Sequence, residues 1–136
     1  MLDHVILPVP NVSRSVAFYE AALAPLGVLQ RADFEGRDGP KGHPDLKGFG
    51  FSGRYFLWLR EGRSQADHLR LGITAADRAA VDAAFAVAIQ AGATVETPPG
   101  VRGYYDPRYY AANVFDPDGY SLEFVHKSWQ HPAIDR

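Results

Sequence analysis

An internal repeat constrains this chain more than any other feature. Asp3-His4-Val5-Ile6-Leu7 returns as Asp67-His68-Leu69-Arg70-Leu71, with His4 and His68 64 residues apart. Each copy runs into a helical pattern closed by a glycine, Gly27 in the first and Gly92 in the second. A repeated supersecondary unit cannot bury its apolar face alone, so the two copies are expected to pack on each other. Because a histidine opens each copy, pseudo-two-fold packing is expected to bring two imidazoles to one centre.

The pattern within each copy predicts strand, helix, then about three strands. Asp3 to Val9 reads as a short strand, Asn11 as a helix N-cap, and Val12, Val16, Tyr19 and Leu23 as one face of a helix ended by Pro25 and Gly27. Leu29 to Asp45 reads as a loop with one weak strand at Gln30 to Phe34, before strands at Gly48 to Ser52 and Tyr55 to Arg60. In the second copy His68 to Thr74 alternates, with Leu69, Leu71 and Ile73 on one face and His68, Arg70 and Gly72 on the other. Val81, Ala84, Phe85, Ala88 and Ile89 form the next helix stripe, and Pro98-Pro99-Gly100 reads as a turn. The final hairpin, Tyr109 to Phe115 and Tyr120 to His126, turns on Asp116-Pro117-Asp118-Gly119.

The expected architecture is α+β: two βαβββ modules, about 1–62 and about 66–127, with a tail at 128–136. Together they form one cupped mixed sheet with helices on its convex side and ligand on its concave side.

At 136 residues and 46% hydrophobic the chain supports one domain with a real core. A net charge of -2 with scattered Lys and Arg gives no footprint for nucleic acid or an anionic membrane. The absence of cysteine removes disulfides, thiolate metal sites and a thiol nucleophile. The apolar stretch Ala79 to Ile89 contains Asp82 and is too short to span a bilayer, and the chain is expected to be cytoplasmic.

Counting back from a four-residue turn pairs Phe115 with Tyr120 and Ala112 with Glu123, which places Tyr110 on the cup face with Glu123. Glu123 lies among Leu122, Phe124 and Val125, where a carboxylate is costly unless paired, solvated or metal-bound. His4, His68 and Glu123 would make two imidazoles and one carboxylate on a divalent metal with open positions. Candidates for proton transfer and oxyanion support are Tyr110, Arg70, and Arg102, Tyr104 and Tyr105 on the loop before the hairpin. The tyrosines read equally as a packing and lid cluster. Trp58 and Phe56 are expected to line an aromatic pocket. His43 reads as a solvated loop residue, a mobile acid/base being the lesser alternative.

The residues Asp3-His4, Arg14-Ser15-Val16-Ala17-Phe18-Tyr19, His68 and Asp116-Pro117-Asp118-Gly119-Tyr120-Ser121-Leu122-Glu123 resemble the vicinal oxygen chelate superfamily. It includes glyoxalase I, extradiol catechol dioxygenases and the bleomycin and fosfomycin resistance proteins. The resemblance covers nearly the whole chain and implies the paired βαβββ cup, metal ligands at His4, His68 and Glu123, and a homodimer. Trp129 in the tail is a candidate for packing on the second subunit. The fourth ligand of glyoxalase I would fall on Trp58, which cannot ligate metal. The resemblance therefore implies an extradiol-type dioxygenase with Fe(II) or Mn(II), acting on a small substrate with vicinal oxygens. A lyase or isomerase with Zn(II) or Ni(II), and a metal-free binding or antibiotic-resistance protein, are the alternatives.

Overall fold

The computed structural model describes residues 1–131, and both copies of the repeat take the expected order of elements. The first holds β1 (Val5–Val9), α1 (Val12–Leu23), β2 (Gln30–Phe34), β3 (Leu46–Phe51) and β4 (Arg54–Glu61). The second holds β5 (Arg70–Thr74), α2 (Arg78–Gln90), β6 (Thr94–Val101), β7 (Tyr109–Phe115) and β8 (Ser121–Lys127). Among the described residues no helix is long and apolar enough to cross a membrane.

Both helices start where a short polar side chain takes an orphan amide. Asn11 Oδ1 accepts from Arg14 N at 3.0 Å and Asp77 Oδ1 from Ala80 N at 2.8 Å. Helix α1 buries Ser15, Phe18, Tyr19, Ala22 and Leu23, a stripe rotated from the expected one, which leaves Val12 and Val16 at its margin. Helix α2 buries Val81, Ala84 and Ala88. The small alanines let α2 settle closely against the second sheet and α1.

The strands form two four-stranded mixed sheets, ordered β1-β4-β3-β2 and β5-β8-β7-β6. No strand of one sheet pairs with a strand of the other, so the single continuous sheet expected from the sequence does not form within the chain. The helices and the DPDG turn join the modules instead. Leu7, Val9, Leu57 and Leu59 from the first sheet and Ile73, Leu122 and Phe124 from the second enter one buried cluster with the helices. The turn is a polar strut: Asp116 accepts from Tyr19 Oη, Asp118 N and Tyr120 N, and Asp118 accepts from Arg14 and Ser15 of α1. Tyr120 Oη donates to Pro8 O at 2.6 Å and accepts from Gln65 N at 3.0 Å. Burial pushes the Tyr19 phenol well above its ordinary range, and the neighbouring carboxylates add to the shift.

Two strand expectations are corrected. Asp116 N donates to Tyr120 O at 2.8 Å, so the last turn holds five residues and Phe115 pairs with Ser121, not Tyr120. Asn113, not Ala112, then stands opposite Glu123. A slip of one residue exchanges the faces of a strand. Tyr110 therefore leaves the cup face for the helix side, where its hydroxyl donates to Asp82 of α2 at 2.6 Å and Arg78 stacks on its ring. Pro98-Pro99-Gly100 is not a turn but part of β6, whose pairing with β7 skips at Val95/Thr97 and Thr97/Gly100. An edge strand tolerates prolines because its outer amides need no strand partner. In the tail, Arg108 stacks on Trp129 at 4.6 Å, and residues 132–136 lie outside the described residues.

Candidate functional site

Side chains alternate along each strand, so burying Leu57 and Leu59 under the helices turns Trp58 to the opposite face. Its ring lies over β3 because residue 48 is glycine: a Cβ there would stand 2.6 Å from Trp58 Cζ3. The ring floors a pocket of about 510 Å³ with Ile6, Phe34, His43, Leu46 and Tyr55, while Asp3, His4 and Arg54 also line it. Phe56 does not join them. Phe49 pairs with Leu57 and Gly50 with Tyr55, so Phe56 is an unpaired bulge residue. The bulge puts Tyr55 beside Trp58, ring centroids 5.8 Å apart, and sends Phe56 into a neighbouring crevice with Leu71, Gly72 and Ile73, which Asp3 and His4 also line.

Two histidines in the first pocket are tied at Nδ1. His4 Nδ1 meets Asp3 Oδ1 at 2.6 Å, and His43 Nδ1 meets Pro44 O at 2.8 Å. Trp58 lines a pocket as the sequence implies, but His43, which reads as a solvated loop residue, joins it only because residues 36–45 approach β1 and β4, a tertiary event with no local periodicity.

The same face of the second module is polar and internally paired. Glu123 accepts from Tyr109 Oη through one oxygen and from Asn113 Nδ2 at 2.9 Å through the other. Burial raises the Tyr109 phenol above its ordinary range, and its bond to Glu123 raises it further. Arg70 donates to Ser121 Oγ at 3.1 Å and pairs with Glu96, whose other oxygen accepts from Ser121 at 2.8 Å. Arg102 is 7% exposed and spends its guanidinium on Gly100 O, Pro98 O and Asn113 Oδ1. It thereby ties the irregular stretch of β6 to Asn113 of β7. Tyr104 and Tyr105 are exposed and stack in series onto Tyr109, with centroids 4.6 and 4.9 Å apart.

The expected metal ligands do not converge. On the pocket face Ile6 pairs with Trp58 in one module and Gly72 with Glu123 in the other, so Ile6 corresponds to Gly72, 66 residues on. The helix N-caps Asn11 and Asp77 keep the same spacing of 66. The counterpart of His4 is then Arg70, and the sequence repeat, read at 64, is two residues out of structural register. His68 sits before β5 in a left-handed turn, φ 60°, and lines a different cleft with Asp67, Asp118 and Gly119. Both oxygens of Glu123 already accept hydrogen bonds. Among the described residues no three His, Asp or Glu side chains are grouped to hold a metal ion. The donor set inferred from the sequence therefore does not fit a metal within this chain.

The family model described as the Glyoxalase/Bleomycin resistance protein/Dioxygenase superfamily matches residues 1–124. The chain belongs to this superfamily. Its fold matches a glyoxalase/bleomycin resistance protein from Albidiferax ferrireducens T118 with a TM-score of 0.76 and 24% identity, covering 91% of this chain and 97% of that one. Glyoxalase I from Zea mays matches at 0.66 and 23% identity, over 93% of this chain and 46% of that one. The fosfomycin resistance protein FosX from Mesorhizobium loti matches at 0.62 and 14% identity, over 91% and 89%. No curated protein matches the chain. Superfamily members commonly use divalent metals, bind small molecules and often form dimers. Fold alone does not choose among their activities.

Proposed function

We propose that this member of the superfamily binds a small planar aromatic compound on the first module, in the manner of a binding or resistance protein. The observation that carries this reading is the Trp58 ring laid over Gly48 as the floor of a pocket of about 510 Å³. Such a volume suits a small ligand, and an indole face supplies stacking without charge. The dioxygenase and lyase expectations both draw on convergence of His4, His68 and Glu123. With Arg70 at the counterpart of His4 and Glu123 engaged by Tyr109 and Asn113, those readings lack a donor set within the chain. A homodimer is a second element of the proposal, supported by the dimers that superfamily members often form.

The test pairs metal analysis with ligand binding. Protein purified anaerobically and reconstituted in turn with iron, manganese, zinc and nickel is expected to retain no stoichiometric metal, and Glu123→Gln to change nothing. Catechol is expected to quench Trp58 emission in a Trp129→Phe background, with the same affinity in chelator. One metal per chain, lost in Glu123→Gln or His68→Ala, would refute the reading.

A further inference from the structure

The first-module pocket has a definite hydrogen-bond polarity, set by its two histidines. His43 is held from several sides. Its Nδ1 meets Pro44 O at 2.8 Å, its amide donates to Pro40 O at 2.9 Å, and its ring stands edge-on to Phe34 at 5.0 Å. The ring also packs on Gly39, where a Cβ would come within 3.0 Å of His43 Cγ. The loop itself is pinned by Gly36 N donating to Asp45 at 2.7 Å.

A carbonyl oxygen only accepts, so Nδ1 of His43 carries the proton, and in the neutral ring Nε2 is left with a lone pair. The same logic applies to His4, whose Nδ1–H donates to the Asp3 carboxylate at 2.6 Å. No side chain or backbone group among the described residues is hydrogen-bonded to either Nε2. Both imidazoles line the pocket floored by Trp58.

We infer that His43 and His4 present paired Nε2 acceptors to the ligand, so that the pocket takes a hydroxyl-bearing aromatic, a phenol or catechol, in preference to its ethers. This deepens the proposed aromatic binding and rests on it. A ring stacked on Trp58 directs substituents outward in its own plane, where an O–H can donate to an imidazole. A methoxy group of similar size has no proton to give and leaves the acceptor desolvated without a partner.

The experiment compares catechol with 1,2-dimethoxybenzene, reading Trp58 quenching in the Trp129→Phe background and the imidazole ¹⁵N resonances of His43. Catechol is expected to bind roughly tenfold more tightly, as one to two hydrogen bonds allow, and to shift the Nε2 resonance of His43. His43→Asn keeps a donor near the Nδ1 position but removes the Nε2 acceptor, and is expected to cut the preference severalfold, the His4 acceptor keeping the remainder. His43→Gln returns an acceptor near that position and is expected to restore part of it. Equal affinity of wild type for the two compounds, or a full preference in folded His43→Asn, would overturn the assignment while leaving aromatic binding in place. If neither compound binds, both readings fall. If His43→Asn does not fold, the Nε2 resonance of wild type decides: a shift with catechol and none with the ether supports the acceptor, and its absence overturns it.

Discussion

Replacing Gly48 with alanine tests the pocket floor at one atom. Gly48 does not have the positive φ that would itself disfavour alanine, so the nearest obstacle to the added methyl is steric. That obstacle is the Trp58 ring, whose Cζ3, Cε3 and Cη2 would lie 2.6, 2.8 and 2.9 Å from the new Cβ. Carbon atoms pack comfortably at about 3.5–4.0 Å, so the ring must lift by roughly 1 Å. Overpacking of this kind costs about 1–3 kcal/mol, offset by about 0.4–1 kcal/mol from the stiffer unfolded chain. Because Trp58 is only half-buried and can swing toward the pocket, the net loss should fall near the low end, at about 0.5–1 kcal/mol. The effect on binding is larger in kind. Loss of the stacking surface, worth about 0.5–1.5 kcal/mol, weakens an aromatic ligand by roughly 2- to 13-fold. Catechol titration followed by Trp58 emission in the Trp129→Phe background measures the affinity, and urea unfolding measures the stability. Gly72→Ala is the control, since a Cβ there meets nothing within 4 Å. Unchanged affinity and unchanged Trp58 emission in Gly48→Ala would show that the ring does not rest on β3.

Outcomes for three further variants follow from the polar contacts. Tyr19→Phe removes a buried donor to Asp116, so stability should fall by about 1.5–3 kcal/mol in urea unfolding with an unchanged denaturant slope. Because the folded Tyr19 phenol is held well above the ordinary tyrosine value of about 10, its contribution is complete below about pH 10 and is lost as pH rises beyond it. Wild type should therefore lose stability between pH 10 and 12 more steeply than Tyr19→Phe, and parallel curves would refute the assignment. Tyr110→Phe should leave ligand binding unchanged, because its hydroxyl serves Asp82 on the helix side, and a tenfold loss of affinity would restore it to the cup face. Tyr109→Phe should free one oxygen of Glu123, seen as a changed carboxyl ¹³C chemical shift at fixed pH, and an unmoved resonance would contradict the bond.

Much of the fold was legible in the chain because its causes are local. Asn11 and Asp77 cap helices wherever they stand before an apolar stripe; Gly92 follows the end of α2, and Gly27 ends the short 3-10 turn Ala24–Leu26 after α1, because only glycine accepts their φ of 112° and 80° readily. The repeat also correctly implied two like modules. Two features that decide the site are not local. A fifth residue in the last turn moves Tyr110 out of the cup and Tyr109 into it, and one bulge residue exchanges Phe56 for Tyr55 beside Trp58. Since strand faces alternate at every residue, errors of one residue that leave a fold recognisable are enough to misassign its pocket. The matching Asp-His pairs set a repeat of 64, while strand pairing and the helix caps set one of 66, which puts Arg70 and not His68 opposite His4. His43 enters the site only because its loop folds back against β1 and β4. The sequence by itself determined the number of main elements, their order and the family, though not that β6 runs on through Pro98-Pro99-Gly100. Which side chains face the ligand was decided by register, bulges and loop packing, which depend on contacts between residues far apart in the chain.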